Sequence, residues 1–129
     1  MATAGVHHFG LSVSQLDATA AFFTDCLGWK LAREVPQYPA KFVTDGRAVV
    51  TLWQTEAGAA PFDRRKHVGL HHMAIQVDSA AELASLFEQV QAWPGVSVEF
   101  APQPLGAGLA RHCMFFEPSG LRMELIWTP

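Results

Sequence analysis

The chain has few cysteines, no long hydrophobic run and no large excess of one charge, and each of these features excludes a class of protein. Its two cysteines, Cys26 and Cys113, are too few for a disulfide scaffold and form no Cys-x-x-Cys pair. We expect both to be small buried hydrophobic residues. No apolar run reaches the roughly 18 residues that a membrane span needs.

The charge balance argues against nucleic acid as a partner. Nine basic and twelve acidic residues give a formal net charge of −3, which offers no surface for neutralising phosphates. The N-terminal residues show no basic region followed by an apolar one, so no secretory signal is visible. We therefore expect a cytoplasmic protein with no nucleic-acid or membrane partner. With 129 residues, half of them hydrophobic, the chain has the size and core of one domain.

An internal repeat is the strongest pattern in the sequence. Residues Val6–Val13 align with Leu70–Val77 at an offset of 64, and both segments contain a His-His doublet. The pattern predicts a single domain, residues 1–129, made of two copies of one unit. Repeat one covers about residues 5–56, a linker about 57–66, and repeat two about 67–129.

Each repeat begins with a strand and continues with an amphipathic helix. Ser14 with Asp17 and Ser79 with Glu82 have the spacing of helix caps. Strands are predicted after the helices, including a hairpin at Asp45-Gly46, and loops at Ala57–Lys66 and Pro102–Gly108. The predicted strand segments are Phe42–Thr44, Arg47–Gln54, Val96–Phe100, His112–Phe116 and Leu121–Trp127. The predicted class is α+β, with two βαβββ modules and the helices on one side of largely antiparallel sheet.

Strand alternation places one histidine of each doublet on the less apolar face. Phe9, Leu11 and Val13 form the apolar set of the first strand, which leaves His8 on the opposite face; His72 has the same position in repeat two. In the last strand, Glu124 lies opposite the apolar set. Two imidazoles and a carboxylate suit a divalent metal. The alternatives are histidines inherited without function from a duplication and a Glu124 that faces water.

The chain resembles the vicinal oxygen chelate superfamily in its histidine doublets, its first helix and its last strand. This superfamily includes glyoxalase I, fosfomycin-resistance proteins, extradiol dioxygenases and bleomycin-resistance proteins. The resemblance covers nearly the whole chain. It rests on four segments: His8–Val13, Phe22–Trp29, His72–Asp78 and Phe116–Leu125. The last is similar to the family ending Asp-Pro-x-Gly-x-x-x-Glu, with Glu117 in place of Asp. The fold implied is a curved, mixed, largely antiparallel sheet cup with helices on its outer face.

The resemblance implies that His8, His72 and Glu124 bind a divalent metal (Fe, Mn, Ni or Zn), with Glu124 also catalytic. It implies a homodimer, with the site either within one chain or shared between subunits. Thr51 is the repeat partner of Glu124, where glyoxalase I has a glutamate that takes part in proton transfer. Threonine is not a base at neutral pH, which argues against the usual glyoxalase I chemistry; Gln54 has the opposite parity and is a poor replacement.

The implied function is glyoxalase-like or dioxygenase-like chemistry on a small substrate that chelates the metal through adjacent oxygens. Thr51, Trp53 and Arg122 are candidate pocket residues; the alternatives are core packing for Trp53 and solvent exposure for Arg122. His112 has the parity to enter the cup, but its place at a strand start favours an exposed side chain. The alternative function is metal-free ligand binding, as in bleomycin-resistance proteins.

Overall fold

The computed structural model describes residues 1–129 and divides them into two compact units, Met1–Ala59 and Ala60–Pro129. The first unit contains β1 (Phe9–Val13), α1 (Leu16–Ala21) with a following π-helical turn (Phe22–Cys26), β2 (Lys30–Val35), β3 (Ala40–Thr44) and β4 (Val49–Gln54). The second unit contains β5 (Met73–Gln76), α2 (Ala80–Gln91), β6 (Ser97–Pro104), β7 (Arg111–Phe116) and β8 (Arg122–Trp127).

Both units have the same topology. The strand orders are β1-β4-β3-β2 and β5-β8-β7-β6. In each sheet the first strand pairs in parallel with the last, and the other pairs are antiparallel. The predicted α+β class with two βαβββ modules is therefore confirmed.

Each helix packs on its own sheet and buries alternate strand residues. The helix α1 contacts β3 and β4, and α2 contacts β6, β7 and β8. The cores are formed by apolar residues of these elements, with Leu11, Val13, Phe22, Phe23, Val43, Val50 and Leu52 in the first unit and Leu83, Phe87, Val90, Phe115, Met123 and Leu125 in the second. Burial of Met123 and Leu125 in β8 leaves Glu124 on the face opposite the helix, as the alternation predicts.

Both cysteines are free and buried, which confirms the expectation that they act as small core residues. Burial raises the pKa of Cys26 and that of Cys113 to about 11. Both thiols are therefore protonated, and unreactive as nucleophiles, at neutral pH. No helix of the chain is long and apolar enough to cross a membrane.

The first strand and first helix differ from the prediction at their ends. Phe9 is 48% exposed because it begins β1, which lies at the edge of its sheet. The predicted cap of α1 by Ser14 and Asp17 is wrong, since Gln15 occupies the N-cap with no side-chain capping hydrogen bond. The Gln54 amide caps the helix instead: its Oε1 accepts from the Leu16 N–H at 3.0 Å. Local spacing does not reveal a cap supplied by a distant strand.

Three further local features can be compared with the sequence prediction: a helix cap, a strand and the start of a loop. The cap of α2 is confirmed, because Ser79 Oγ accepts from the Glu82 N–H at 3.0 Å. The βαβββ pattern requires the strand β2, but the sequence assigns no segment to it, because five of its six residues are exposed and it lacks a buried face. The predicted loop Pro102–Gly108 begins too early, since β6 extends to Pro104. Register shifts between Phe100 and Gln103 accommodate a proline within the strand.

Candidate functional site

The structure brings His72 and Glu124 together in the second unit. Glu124 lies in the middle of β8, opposite Ala74 of β5 and Met114 of β7. His72 immediately precedes β5, and its Nε2 is 4.0 Å from Oε1 of Glu124. The Glu124 side chain is only 12% exposed, so its charge depends on partners within the protein.

The closest partner of that carboxylate is His112, which was not among the predicted ligands. Nδ1 of His112 lies 2.6 Å from Oε2 of Glu124, and because a carboxylate only accepts, the imidazole is the donor. The expectation of an exposed His112 is wrong: its side chain is 13% exposed, with the Phe100 ring 5.0 Å away. The parity of His112 with Met114, which pairs with Glu124, was the available signal.

The two histidine doublets have the same local geometry. Nδ1 atoms of adjacent rings are 2.9 Å apart in His7-His8 and again in His71-His72. With its Nδ1 engaged by His71, His72 presents Nε2 to Glu124. Desolvation and the positive charge of Arg122 lower the pKa of His71, which favours its neutral form. The other predicted ligand, His8, is an exposed residue of the first unit, one residue before β1.

The donor atoms of the second unit suit a divalent metal chemically. Imidazole nitrogen and carboxylate oxygen bind Zn and related ions at about 2.0–2.2 Å, which separates two tetrahedral ligands by about 3.4 Å. The 4.0 Å between His72 and Glu124 is near that separation. No set of three His, Cys, Asp or Glu side chains in this unit is already arranged around a common point that could hold a metal ion.

Thr51 occupies the equivalent of the Glu124 position in the first unit. It pairs with Gly10 of β1, as Glu124 pairs with Ala74 of β5. Its buried hydroxyl donates to the Phe9 carbonyl at 3.2 Å and accepts from Trp53 Nε1 at 2.9 Å. A Cβ at Gly10 would lie 3.3 Å from Thr51 Oγ1 and 3.5 Å from Trp53 Nε1, so a small residue is needed there.

Trp53 shares the face of Thr51, as predicted, and belongs to an aromatic group. Its ring centroid is 5.6 Å from that of Tyr38 and 5.9 Å from that of Phe42. Together with Arg33 and Val35, these rings line a cavity of about 220 Å³. Trp53 is half-buried and borders this cavity.

Arg122 is neither exposed nor available to an external anion. Its side chain is 13% exposed and forms a two-point ion pair with Glu99, with Nε–Oε1 and Nη2–Oε2 distances of 2.9 and 2.8 Å. The Arg122 guanidinium holds the pKa of Glu99 below its usual range. Solvent exposure of Arg122 was therefore the wrong expectation, because β6 supplies a carboxylate opposite it.

Comparison with known proteins places these features in a family. Residues 5–125 match the model of the Glyoxalase/Bleomycin resistance protein/Dioxygenase superfamily. The chain is 31% identical to a 2-epi-5-epi-valiolone epimerase from Actinomyces sp., over 96% of this chain and 79% of the relative. It is also 31% identical to a lactoylglutathione lyase from Salmonella typhimurium, over 92% of this chain and 89% of the relative.

Solved structures share the fold at lower sequence identity. The glyoxylase/bleomycin resistance protein/dioxygenase domain from Frankia sp. EAN1pec has a TM-score of 0.82 and 24% identity, covering 99% of this chain and 100% of its own. The fosfomycin resistance protein FosX from Listeria monocytogenes has a TM-score of 0.77 and 20% identity, covering 98% and 95%. The chain belongs to the Glyoxalase/Bleomycin resistance protein/Dioxygenase superfamily.

Proposed function

We propose that the protein is a metal-dependent enzyme that acts on a small substrate with two adjacent oxygens. His8, His72 and Glu124 would bind the divalent ion, which is Fe, Mn, Ni or Zn. The observation that carries the proposal is the largely buried Glu124 carboxylate, with Oε1 facing His72 Nε2 and Oε2 held by His112. A largely buried carboxylate between two imidazoles is costly unless it serves a ligand or a proton.

A bound divalent ion would act as a Lewis acid and stabilise negative charge that develops on a substrate oxygen. His112 orients Glu124 by donating a hydrogen bond to Oε2. This leaves Oε1 free to bind the metal ion or to accept a proton from the substrate. His71 engages Nδ1 of His72 and so fixes which nitrogen faces Glu124. Thr51 cannot accept a proton at neutral pH, so we assign the proton-accepting role to Glu124.

The names of the two relatives support a lyase or epimerase reaction for this chain over ring cleavage. An epimerase inverts a stereocentre, and removal of a proton beside a carbonyl group is one route to that result. Glu124 would accept that proton through Oε1 when this oxygen is released from the metal, because Oε2 is held by His112. We propose Thr51 and Trp53 as pocket residues of the first unit, and Arg122 as a residue that borders the Glu124 face.

Metal analysis tests the proposal. The full chain is purified without added metal, stripped with a chelator and then supplied with Fe, Mn, Ni or Zn. We expect it to bind one ion for each set of His8, His72 and Glu124. Glu124→Gln should abolish this uptake. His7→Ala and His71→Ala, which remove the other histidine of each doublet, should weaken it without abolishing it, because all three proposed ligands remain. A wild-type protein that takes up none of the four ions would overturn the proposal and favour metal-free ligand binding.

We also propose a homodimer. Exposed apolar residues flank the start of β1, with Val6 70% and Phe9 48% exposed, and β1 is an edge strand. Apolar groups beside an unpaired strand edge are typical of surfaces that associate. Sedimentation of the wild type should give twice the monomer mass, and Phe9→Ser should shift it towards the monomer. A monomeric wild type at micromolar concentration would contradict this proposal.

A further inference from the structure

The first unit contains a small aromatic cavity whose ligand is unassigned. We call it the aromatic cradle and define it by its five lining residues, Arg33, Val35, Tyr38, Phe42 and Trp53. The Tyr38 and Trp53 rings are nearly perpendicular, at 88°, and the Phe42 ring is tilted by 53° from Trp53. All three rings line the cavity, so an aromatic ligand bound there would contact other aromatic rings.

The cradle also carries one unpaired positive charge. The Arg33 guanidinium lies 5.7 Å from the Phe42 ring centroid and forms no ion pair with an acidic side chain. The adjacent acid, Glu34, instead approaches Lys41, with 3.6 Å between Oε1 and Nζ. A planar guanidinium at the rim of an apolar cavity is the group that binds a carboxylate through two parallel hydrogen bonds.

The indole N–H of Trp53 already has a hydrogen-bond acceptor within the protein, which limits the kinds of ligand that the cradle can bind. Its Nε1 donates to Thr51 Oγ1 at 2.9 Å, so the indole offers its carbon rings rather than a donor. The volume of about 220 Å³ is below the roughly 300–1,000 Å³ of pockets that enclose drug-sized ligands. The cradle is open to solvent on one side, where Tyr38 is 71% exposed, and about 220 Å³ holds one six-membered ring with a short substituent.

We propose that the aromatic cradle binds a planar aromatic ring bearing a carboxylate, with the ring against Trp53 and Phe42 and the carboxylate on Arg33. This goes beyond the proposed function and does not depend on it. Ring binding itself uses residues of the first unit alone. It can therefore be measured in protein stripped of metal, independently of metal uptake.

Benzoate is the probe, titrated into the metal-stripped full chain while the indole N–H signals of the four tryptophans are followed by NMR. The Trp53 signal, assigned with Trp53→Phe, should shift with a dissociation constant on the order of 1 mM. Arg33→Gln should weaken binding at least tenfold. Arg47→Gln, which removes an exposed arginine outside the cradle, should leave it unchanged. Benzyl alcohol and cyclohexanecarboxylate, which lack the charge and the planar ring respectively, should bind at least tenfold more weakly.

Two results would overturn the proposal. One is an unchanged Trp53 signal at 20 mM benzoate; the other is equal benzoate affinity in Arg33→Gln and the wild type. Benzoate binding in a protein that takes up no metal would support the cradle and remove the proposed enzyme function. Metal uptake without benzoate binding would do the reverse.

Discussion

His112 holds one oxygen of Glu124, with 2.6 Å between Nδ1 and Oε2, while the other oxygen faces His72 at 4.0 Å. His112 belongs to β7 and His72 immediately precedes β5, so the two histidines approach the carboxylate from the strands on either side of β8. Such a hydrogen bond orients a ligand carboxylate and sustains its affinity for a metal. If Glu124 binds a metal as proposed, His112 is a positioning residue.

Replacing His112 with Phe tests that role. The variant keeps a ring against Phe100 but loses the donor to Oε2, so metal affinity should fall about 10- to 100-fold. His67→Phe is the control, because His67 Nδ1 accepts only from the Asp63 backbone N–H. Isothermal titration of metal-stripped protein gives both dissociation constants. Equal affinity in His112→Phe and the wild type would show that His112 does not position Glu124.

Strand alternation predicted which face of the sheet each candidate residue lies on, but not which side chains of other strands it contacts. It placed Glu124 opposite the core and Thr51 beside Trp53, because those relations depend only on parity within a strand. It missed the partners of His112 and Arg122 because these depend on register across strands. A strand-start histidine was interpreted as exposed, whereas β6 runs past it and covers it with Phe100.

The same limit applies to the helices. The cap of α2 lies within four consecutive residues and was predicted, while α1 is capped by Gln54, 38 residues from Leu16. The parity of Gln54 makes it a poor replacement for a catalytic carboxylate in the first unit. The amide that lies on the wrong face for chemistry is on the right face to reach the helix start.

The hydrogen bond between Thr51 and Trp53 should stabilise the first unit. Thr51→Val would leave the indole N–H of Trp53 without its acceptor, at a cost of about 1–2 kcal/mol. Trp53→Phe removes the donor, so the double variant should show a coupling of about 1 kcal/mol in a double-mutant cycle. Urea unfolding provides the four free energies. Additive effects of the two substitutions would mean that the hydrogen bond contributes nothing.

Glu117 should be a structural residue, although it replaces the Asp of the family ending. It is 1% exposed, and its Oε1 accepts from the backbone N–H groups of Ser119 and Leu121 at 2.8 and 3.0 Å. These bonds hold the turn before β8. Glu117→Ala should lower the free energy of unfolding by about 2–4 kcal/mol. The exposed Glu56→Ala is the control and should change it by less than about 0.5 kcal/mol; similar values for the two variants would contradict the assignment.

The ion pair of Glu99 and Arg122 should make stability depend on pH in a defined direction. The pKa of Glu99 is lowered from 4.5, first by its hydrogen bonds to Arg122. A carboxyl group whose folded pKa lies below its unfolded value stabilises the protein above the unfolded value. The contribution is lost as pH falls through the folded value. With a two-point pair that is partly exposed, we expect about 1 kcal/mol at pH 7.

The measurement is urea unfolding of the wild type and Glu99→Gln at several pH values from 7 to 3.5. The wild type should be the more stable protein at pH 7, and the difference should shrink as the pH falls below about 4.5, because the unfolded chain then takes up the proton first. Glu56→Gln, which removes an exposed carboxyl with no ion pair, should show no such difference at any pH. A gap between wild type and Glu99→Gln that stays constant or widens in acid would mean that the pair with Arg122 does not stabilise the charged form of Glu99.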